Sequence, residues 1–503
     1  MIKKFIHIAL VSLLLFSSCN KHLDLGSSRL VSEDNMWESL EDARAGLMGV
    51  YGLTKAALND HNAHWLYGEV RTGEFEVPLR QDLKAIADND LNVNSFQSVN
   101  DLKNWRRWYA AINAANIFIE RIPEVRKHDN RYTENNLLVD IAQVRFLRAF
   151  AYFYMVRIWG GVPLVTSSNE GSFSKQEREK QDKILAWVEQ EMIAAAELLP
   201  YRFSENDEQQ IGDYYNEKSS RWDGALVRKL SAYAILAHVA AWQSNYPDVA
   251  SYTKIVIDDY QKASMSLLST DNLTDANGFF YDKNNNQLLA FGHVYNHLEG
   301  SFTGHIEELT LAAPVVNKNV PDMYFSKENI LNLFNESKDE RFSIDTLGNP
   351  TSEKYFTNFN GTYPIFSKIK CIMGGVSEPN FRFYSSATVI TRLEDVYLLR
   401  AEALSVLGES NEAIEILNSL RERRGLGDFS QEEHGDLIDA IFDERQRELM
   451  GEGHRWYDLI RYHKLKDDGS HIKELIDNEG IFWPISQDIL NRNDLITQNE
   501  FWK

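Results

Sequence analysis

Residues 391–425 read TRLEDVYLLRAEALSVLGESNEAIEILNSLRERRG. Val396, Tyr397, Ala401 and Leu404 recur at helical spacing up to a turn at Gly408-Glu409-Ser410. A second helical stretch follows, with Ala413, Leu417 and Leu420 on one side. It ends in Arg421, Arg423 and Arg424 and stops at Gly425; cations in a last turn and a glycine just beyond it are what a helix C-terminus favours. At the front, Thr391-Arg392-Leu393-Glu394 reads as a capping box, in which Thr and Glu satisfy free backbone N–H groups reciprocally. Helix, tight turn and helix with small residues at the crossing is the pattern of a tetratricopeptide-type unit.

Working outward, Leu226–Tyr260 repeats the theme, with Ala232, Ala234, Ala237 and Ala241 in its first helix and a turn at Asn245-Tyr246-Pro247. Residues 137–159 are apolar almost all round, which places that helix inside a large bundle, and Gly160-Gly161-Val162-Pro163 stops it. Helical patterning is nearly continuous to about residue 265. Between about 266 and 385 Asn, Gly, Ser, Phe and Tyr rise and the periodicity fades, as expected of long loops and short strands where binding residues tend to sit. The expected fold is mainly α: a tetratricopeptide-like helical-pair scaffold with a loop-rich insertion. Residues 19–265 form its N-terminal helical part and 266–503 its C-terminal part, in one compact mature unit.

Lys3 and Lys4 precede an apolar run from Phe5 to Phe16, too short to span a bilayer and shaped like an export signal. The run ends in Ser17-Ser18-Cys19, which resembles a bacterial lipobox, with Phe16 where Leu is usual. Residues 1–18 are therefore expected to be a cleaved signal and Cys19 an acylated anchor; acyl chains contribute about 0.8 kcal/mol per buried methylene. With Cys19 so used, Cys371 has no disulfide partner. A length of 503 residues with 43 % hydrophobic content supplies a core without disulfides. The net charge of -21 repels phosphate backbones and argues against nucleic acid as a partner.

Several segments, taken in order, resemble the SusD/RagB family of outer-membrane nutrient-binding lipoproteins. They are Leu23-Asp24 after Cys19, Trp105, Tyr109, Ile112, Asn116 and Ile119 on one helical face, Arg145 to Ala149, and Gly160 to Leu164. Arg400 to Ala403, Asn418 to Gly425, Glu444 to Leu449, Glu452 to Arg461, Trp483-Pro484-Ile485 and Gln498-Asn499 follow. Each is weak alone; their order and spacing are specific. The resemblance implies a cell-surface lipoprotein, anchored in the outer membrane, that binds an oligosaccharide or a peptide. It also implies a partner, a SusC-like TonB-dependent barrel that receives the ligand, and no cofactor.

The run from Glu444 to Arg461 gathers Glu448, Glu452, His454 and Asp458, but it holds one His where a His-Glu-x-x-His metal site needs two. Alternating Arg and Glu suit a buried ion-pair lattice better, since buried charges must be paired. An all-α glycoside hydrolase is the rival class, but no spacing motif singles out its two acids. No catalytic, cofactor or metal residue is therefore expected. For the ligand, the mixtures of flat rings and polar groups outside strong helices are the candidates: Trp65, Tyr67, Glu69 and Arg71, then Tyr281, Tyr295 and Tyr324. Rings can stack on sugar faces while acids and arginines bond the hydroxyls.

Overall fold

The computed structural model describes residues 36–168, 174–204, 206–293, 303–374, 377 and 382–503; the signal segment, Cys19, Leu23-Asp24 and Tyr295 lie outside these. Among the described residues ten helices of twelve residues or more form the frame: α1 (Leu40–Asn59), α2 (Arg106–His128), α3 (Glu134–Trp159), α4 (Gln181–Leu198), α5 (Lys229–Trp242), α6 (Tyr246–Asp259), α7 (Leu393–Val406), α8 (Ser410–Arg423), α9 (Leu437–Leu449) and α10 (Arg455–Lys466). Each of α1 to α7 packs on the helix that follows it, and α9 returns onto α7. The stack is unbroken from α6 to α7 although residues 260–392 intervene. That intervening stretch is the loop-rich insertion expected from its composition.

Local chemistry explains the helix limits. Ser39 caps α1 in a reciprocal box with Asp42, and Thr133 caps α3 by accepting from the Asn136 N–H. From Val139 to Trp159 nearly every side chain of α3 is buried, as the all-round apolar pattern requires. At the α5–α6–α7 crossing, Ala237, Ala240, Ala241 and Ala403 let Leu399, Tyr246 and Val249 interleave. Leu398, Ala401, Leu417, Leu420 and Ile441 do the same where α7, α8 and α9 meet. The expected capping box at Thr391 does not form. Residues Thr388–Arg392 are a buried strand paired antiparallel with Gln287–Phe291, so the chain enters α7 directly from a sheet. Thr391 Oγ1 instead donates to Asp395 at 2.7 Å, and Glu394 accepts from the Leu268 N–H. Nor is the helical patterning continuous to 265. Apart from two three-residue 3-10 turns, residues 199–228 are irregular, and they pack Tyr214, Tyr215 and Trp222 around the buried carboxylate of Asp140.

Residues 63–71 and 451–456, far apart in sequence, meet in a clasp. The short helix Ala63–Gly68 and the residues after it lie against the link between α9 and α10. His64 bonds the Glu452 carbonyl at 3.0 Å, Trp65 Nε1 donates to the Gly451 carbonyl at 3.2 Å, and Glu69 accepts from the N–H groups of Gly453 and His454 at 2.7 and 3.2 Å. Backbone touches backbone here. A Cβ at Gly68 would overlap the carbonyl of Gly453, and Gly453 itself holds φ +83° beneath the His64 ring. Gly68→Ala should therefore destabilise the fold by roughly 1–3 kcal/mol, since overpacking against backbone cannot relax through a rotamer. Chemical denaturation of Gly68→Ala beside Gly49→Ala, where the added carbon meets nothing within 4 Å, checks this.

Candidate functional site

The acid-rich run around α9 is a closed lattice. Glu444 and Glu448, four residues apart, share one helix face and meet Arg341 at 2.7 and 3.1 Å. Glu448 also takes Arg424 at 2.6 Å and Arg392 at 2.9 Å, and Arg392 continues to Glu452, which holds the Lys368 ammonium. On the other face Arg445 joins Asp395 and Asp458 at 2.9 and 3.0 Å, and Arg461 joins Asp458 and Glu402. Burial alone would raise these carboxyls. The facing guanidiniums outweigh it and hold Glu444 and Asp458 each at about 2 and Glu448 well below its ordinary range. Acids held so firmly as paired anions tie helices together and have no proton to give at neutral pH.

The residues expected to face a ligand divide sharply. Trp65, Tyr67, Glu69 and Arg71 are each about 3 % exposed or less. No ring face of Trp65 or Tyr67 is open to stack on a sugar: Tyr67 packs edge-on against Trp159 and Trp483 and donates to the Leu102 carbonyl, while Trp65 belongs to the clasp. Arg71 lies over the Trp456 ring and donates to the carbonyls of Gly480 and Ile481. The expectation of a ligand-facing patch is not met for these four. Trp65, Glu69 and Arg71 turn polar groups to the backbone of residues 451–481, and Tyr67 turns its hydroxyl to Leu102. Tyr281 is half-buried against the core and bridges to Ser386, and its neighbours Asp282 and Lys283 line a cleft of about 940 Å³ beside α1.

Tyr324 is different. Its backbone pairs with Glu76, its hydroxyl donates to the Glu76 carboxylate, and its half-exposed ring stands edge-on to Tyr363 at 5.1 Å. On the same stretch Leu79 is 67 % exposed, and Arg80 forms a forked pair with Asp82 at 2.8 and 2.6 Å and reaches Asp322. A groove of about 300 Å³ is lined by Glu74, Phe325, Asn329, Asn332, Asn335 and residues of α9 including Asp443 and Gln446; it meets the Tyr324 stretch at the next residue, Phe325. Ser326 caps the short helix Lys327–Leu333, and buried Ile330 and Phe334 pin it, so the asparagines at every third position run along its outer side. That three-residue spacing is the signal sequence reasoning missed. Amides offer a donor and an acceptor each, the chemistry that recognises hydroxyls, and Tyr324, adjacent in sequence to the groove's Phe325, carries a flat apolar ring.

One group of metal-type donors exists among the described residues: one atom each from His238, Asp395 and His454, all within 4.8 Å of one another. Both Asp395 oxygens are already occupied, by Arg445, His238 and Thr391.

The chain is similar to known proteins over nearly its whole length. Residues 258–502 match the profile of the SusD family, and residues 52–211 match a family described as starch-binding and associating with the outer membrane. A SusD superfamily protein from Bacteroides thetaiotaomicron, solved by crystallography, is 44 % identical, with 93 % of this chain and 99 % of that chain covered and a TM-score of 0.84. A SusD homolog from the same organism, at 22 % identity over 93 % of this chain and 99 % of that one, superposes with a TM-score of 0.77 and shares the fold. SusD-like protein P38 of Formosa agariphila is 25 % identical over 99 % of each chain.

The lattice and the clasp together give stability two opposed dependences on pH. Glu444 and Asp458 have depressed pKa values, so their contribution is present above the unfolded value near 4 and is lost as pH falls toward 2. Burial raises Glu69 to about 8, and Asp140 and Glu307 each to about 7, so their contribution is present below about 4.5 and is lost as pH rises through 7 to 8. Melting temperatures at fixed ionic strength should therefore peak between these windows, on the mildly acidic side. Glu69→Gln should flatten the alkaline decline while leaving the acid limb in place.

Proposed function

Because the chain belongs to the SusD family, we propose that it captures an oligosaccharide at the outer membrane and delivers it to a SusC-like TonB-dependent transporter without cleaving it. The observation that carries this reading is the near-complete match to a SusD superfamily structure at 44 % identity, together with the starch-binding, outer-membrane description attached to the family matched by residues 52–211. Among the described residues no helix is long and apolar enough to cross a membrane, so attachment falls to acylated Cys19 in this account. The ligand seat is the amide-lined groove with its Tyr324–Tyr363 rim. Hydroxyls bond to Asn329, Asn332 and Gln446 there, and a sugar face lies on the Tyr324 ring.

Two sets of variants test this. In calorimetric titration against a panel of oligosaccharides, Tyr324→Ala should weaken the bound ligand more than tenfold, the loss typical of an aromatic anchor, and leave the melting temperature nearly unchanged. Trp65→Ala should instead cost about 3–5 kcal/mol of folding stability, the price of a large core cavity. Unchanged affinity in both Tyr324→Ala and Asn332→Ala would remove the groove from the account, and shortened oligosaccharide after long incubation would replace binding with hydrolysis. In cells, Cys19→Ala should shift the protein from the membrane to the soluble fraction; tight association of that variant would contradict the anchor.

A further inference from the structure

A cavity of about 20 Å³, room for one water-sized particle, lies where α3, α5 and the start of α10 meet. Phe153, Ile235 and Ile390 make its apolar walls. Its polar lining is Arg157 from α3, His238 from α5, and His64 and His454 from the clasp. His64 is fully engaged, with Nδ1 on the Tyr154 hydroxyl and Nε2 on the Glu452 carbonyl, and His238 Nε2 is held by Asp395 at 2.7 Å. Two groups are left over. His454 is 8 % exposed, and among the described residues its Nε2 has no hydrogen-bond partner, nor has Nε of Arg157.

Arg157 is anomalous among its neighbours. Arg341, Arg392, Arg424, Arg445 and Arg461 each meet at least one carboxylate within 3.1 Å. Among the described residues the half-buried Arg157 guanidinium meets aromatic rings and no carboxylate, those of Tyr457, Phe153 and Tyr154 lying at 4.1, 4.4 and 5.1 Å. Asp458, the acid that acts on it through space, is already shared between Arg445 and Arg461. Ring faces attract a cation but do not neutralise it, and although Arg157 is only half-buried, its Nε–H is enclosed at the cavity with no acceptor among the described residues. We propose that this cavity is a binding site for one small monovalent anion of halide size, held by the Arg157 guanidinium and by His454 Nε2–H. A cation is the poorer occupant despite the nearby His238, Asp395 and His454 donors. Both Asp395 oxygens are taken, and a metal ion would sit in the field of Arg157. The site joins one helix of the N-terminal half, one of the middle and the clasp, so the anion would stabilise the junction, and the argument does not depend on which ligand the groove takes.

The test uses the full mature chain at constant ionic strength, with sodium gluconate replaced stepwise by sodium bromide. The expected result is a saturable rise in melting temperature of roughly 2 °C or more, as linkage requires for a ligand of the folded state. Crystals grown in bromide should show an anomalous peak beside Arg157 and His454. Arg157→Gln should abolish the halide dependence; if that variant does not fold, the bromide peak in the unaltered chain decides. Equal melting in both salts with no bromide peak in the cavity would overturn the proposal. So would visible absorption bands from cobalt(II) that disappear in His238→Ala, which would give the cavity to a metal ion.

Discussion

The contact on which the rest of the structure depends is the one between Glu69 and the backbone of Gly453 and His454, across 384 residues of chain. A buried carboxyl is costly unless it is bonded, and here its oxygen accepts from two N–H groups that a bend at Gly451 and Gly453 leaves without helical partners. His64, Trp65 and Arg71 extend the same logic, each giving a polar atom to a carbonyl near the chain's C-terminal end. The helical stack runs from α1 to α9 in sequence, and a stack alone leaves its ends unconnected. The clasp closes it, and so fixes where the stretch at Glu74 to Arg80 emerges beside Tyr324.

The charged lattice does the complementary work at the other side of the clasp. Helices α7, α8, α9 and α10 bury arginines and acids where a simpler bundle would bury leucines, and each charge is matched to a partner with good geometry. Such pairs add little net stability over apolar packing, but removing one member leaves the other charge buried and unmatched. The arrangement therefore fixes register: Glu448 can face Arg341, Arg392 and Arg424 at once in only one placement of α9. It also leaves the outer side of α9, with Asp443 and Gln446, free to line the groove.

Most of the frame was legible in the sequence because it rests on local, periodic signals. The pairs at Leu226–Tyr260 and 391–425 and the all-round apolar helix ending at Trp159 stand where spacing and stop residues put them. What was misread depended on distant partners. Thr391 and Glu394 have the spacing of a capping box, but the strand at Gln287–Phe291, which pulls Thr391 into a sheet, is invisible from residues 391–425. Trp65, Tyr67, Glu69 and Arg71 have the composition of a sugar site, and only segments distant in sequence, Trp159, Trp483 and the backbone of 451–481 among them, make them interior. Tyr324 was named from composition alone. Its neighbours Glu76 and Tyr363 come from separate stretches that only the fold assembles, as do Glu74 and the α9 residues that line the groove with the asparagines just after it.

The central claim is that ligand is met at the groove and its tyrosine rim, while the aromatic cluster of the clasp stays closed. Hydrogen–deuterium exchange with and without a bound oligosaccharide tests it most directly. The account predicts ligand-dependent protection in peptides covering 74–82 and 322–335, with exchange at 62–71 and 451–456 unchanged and slow in both states. Protection that appears at 62–71, with none at 322–335, would contradict it.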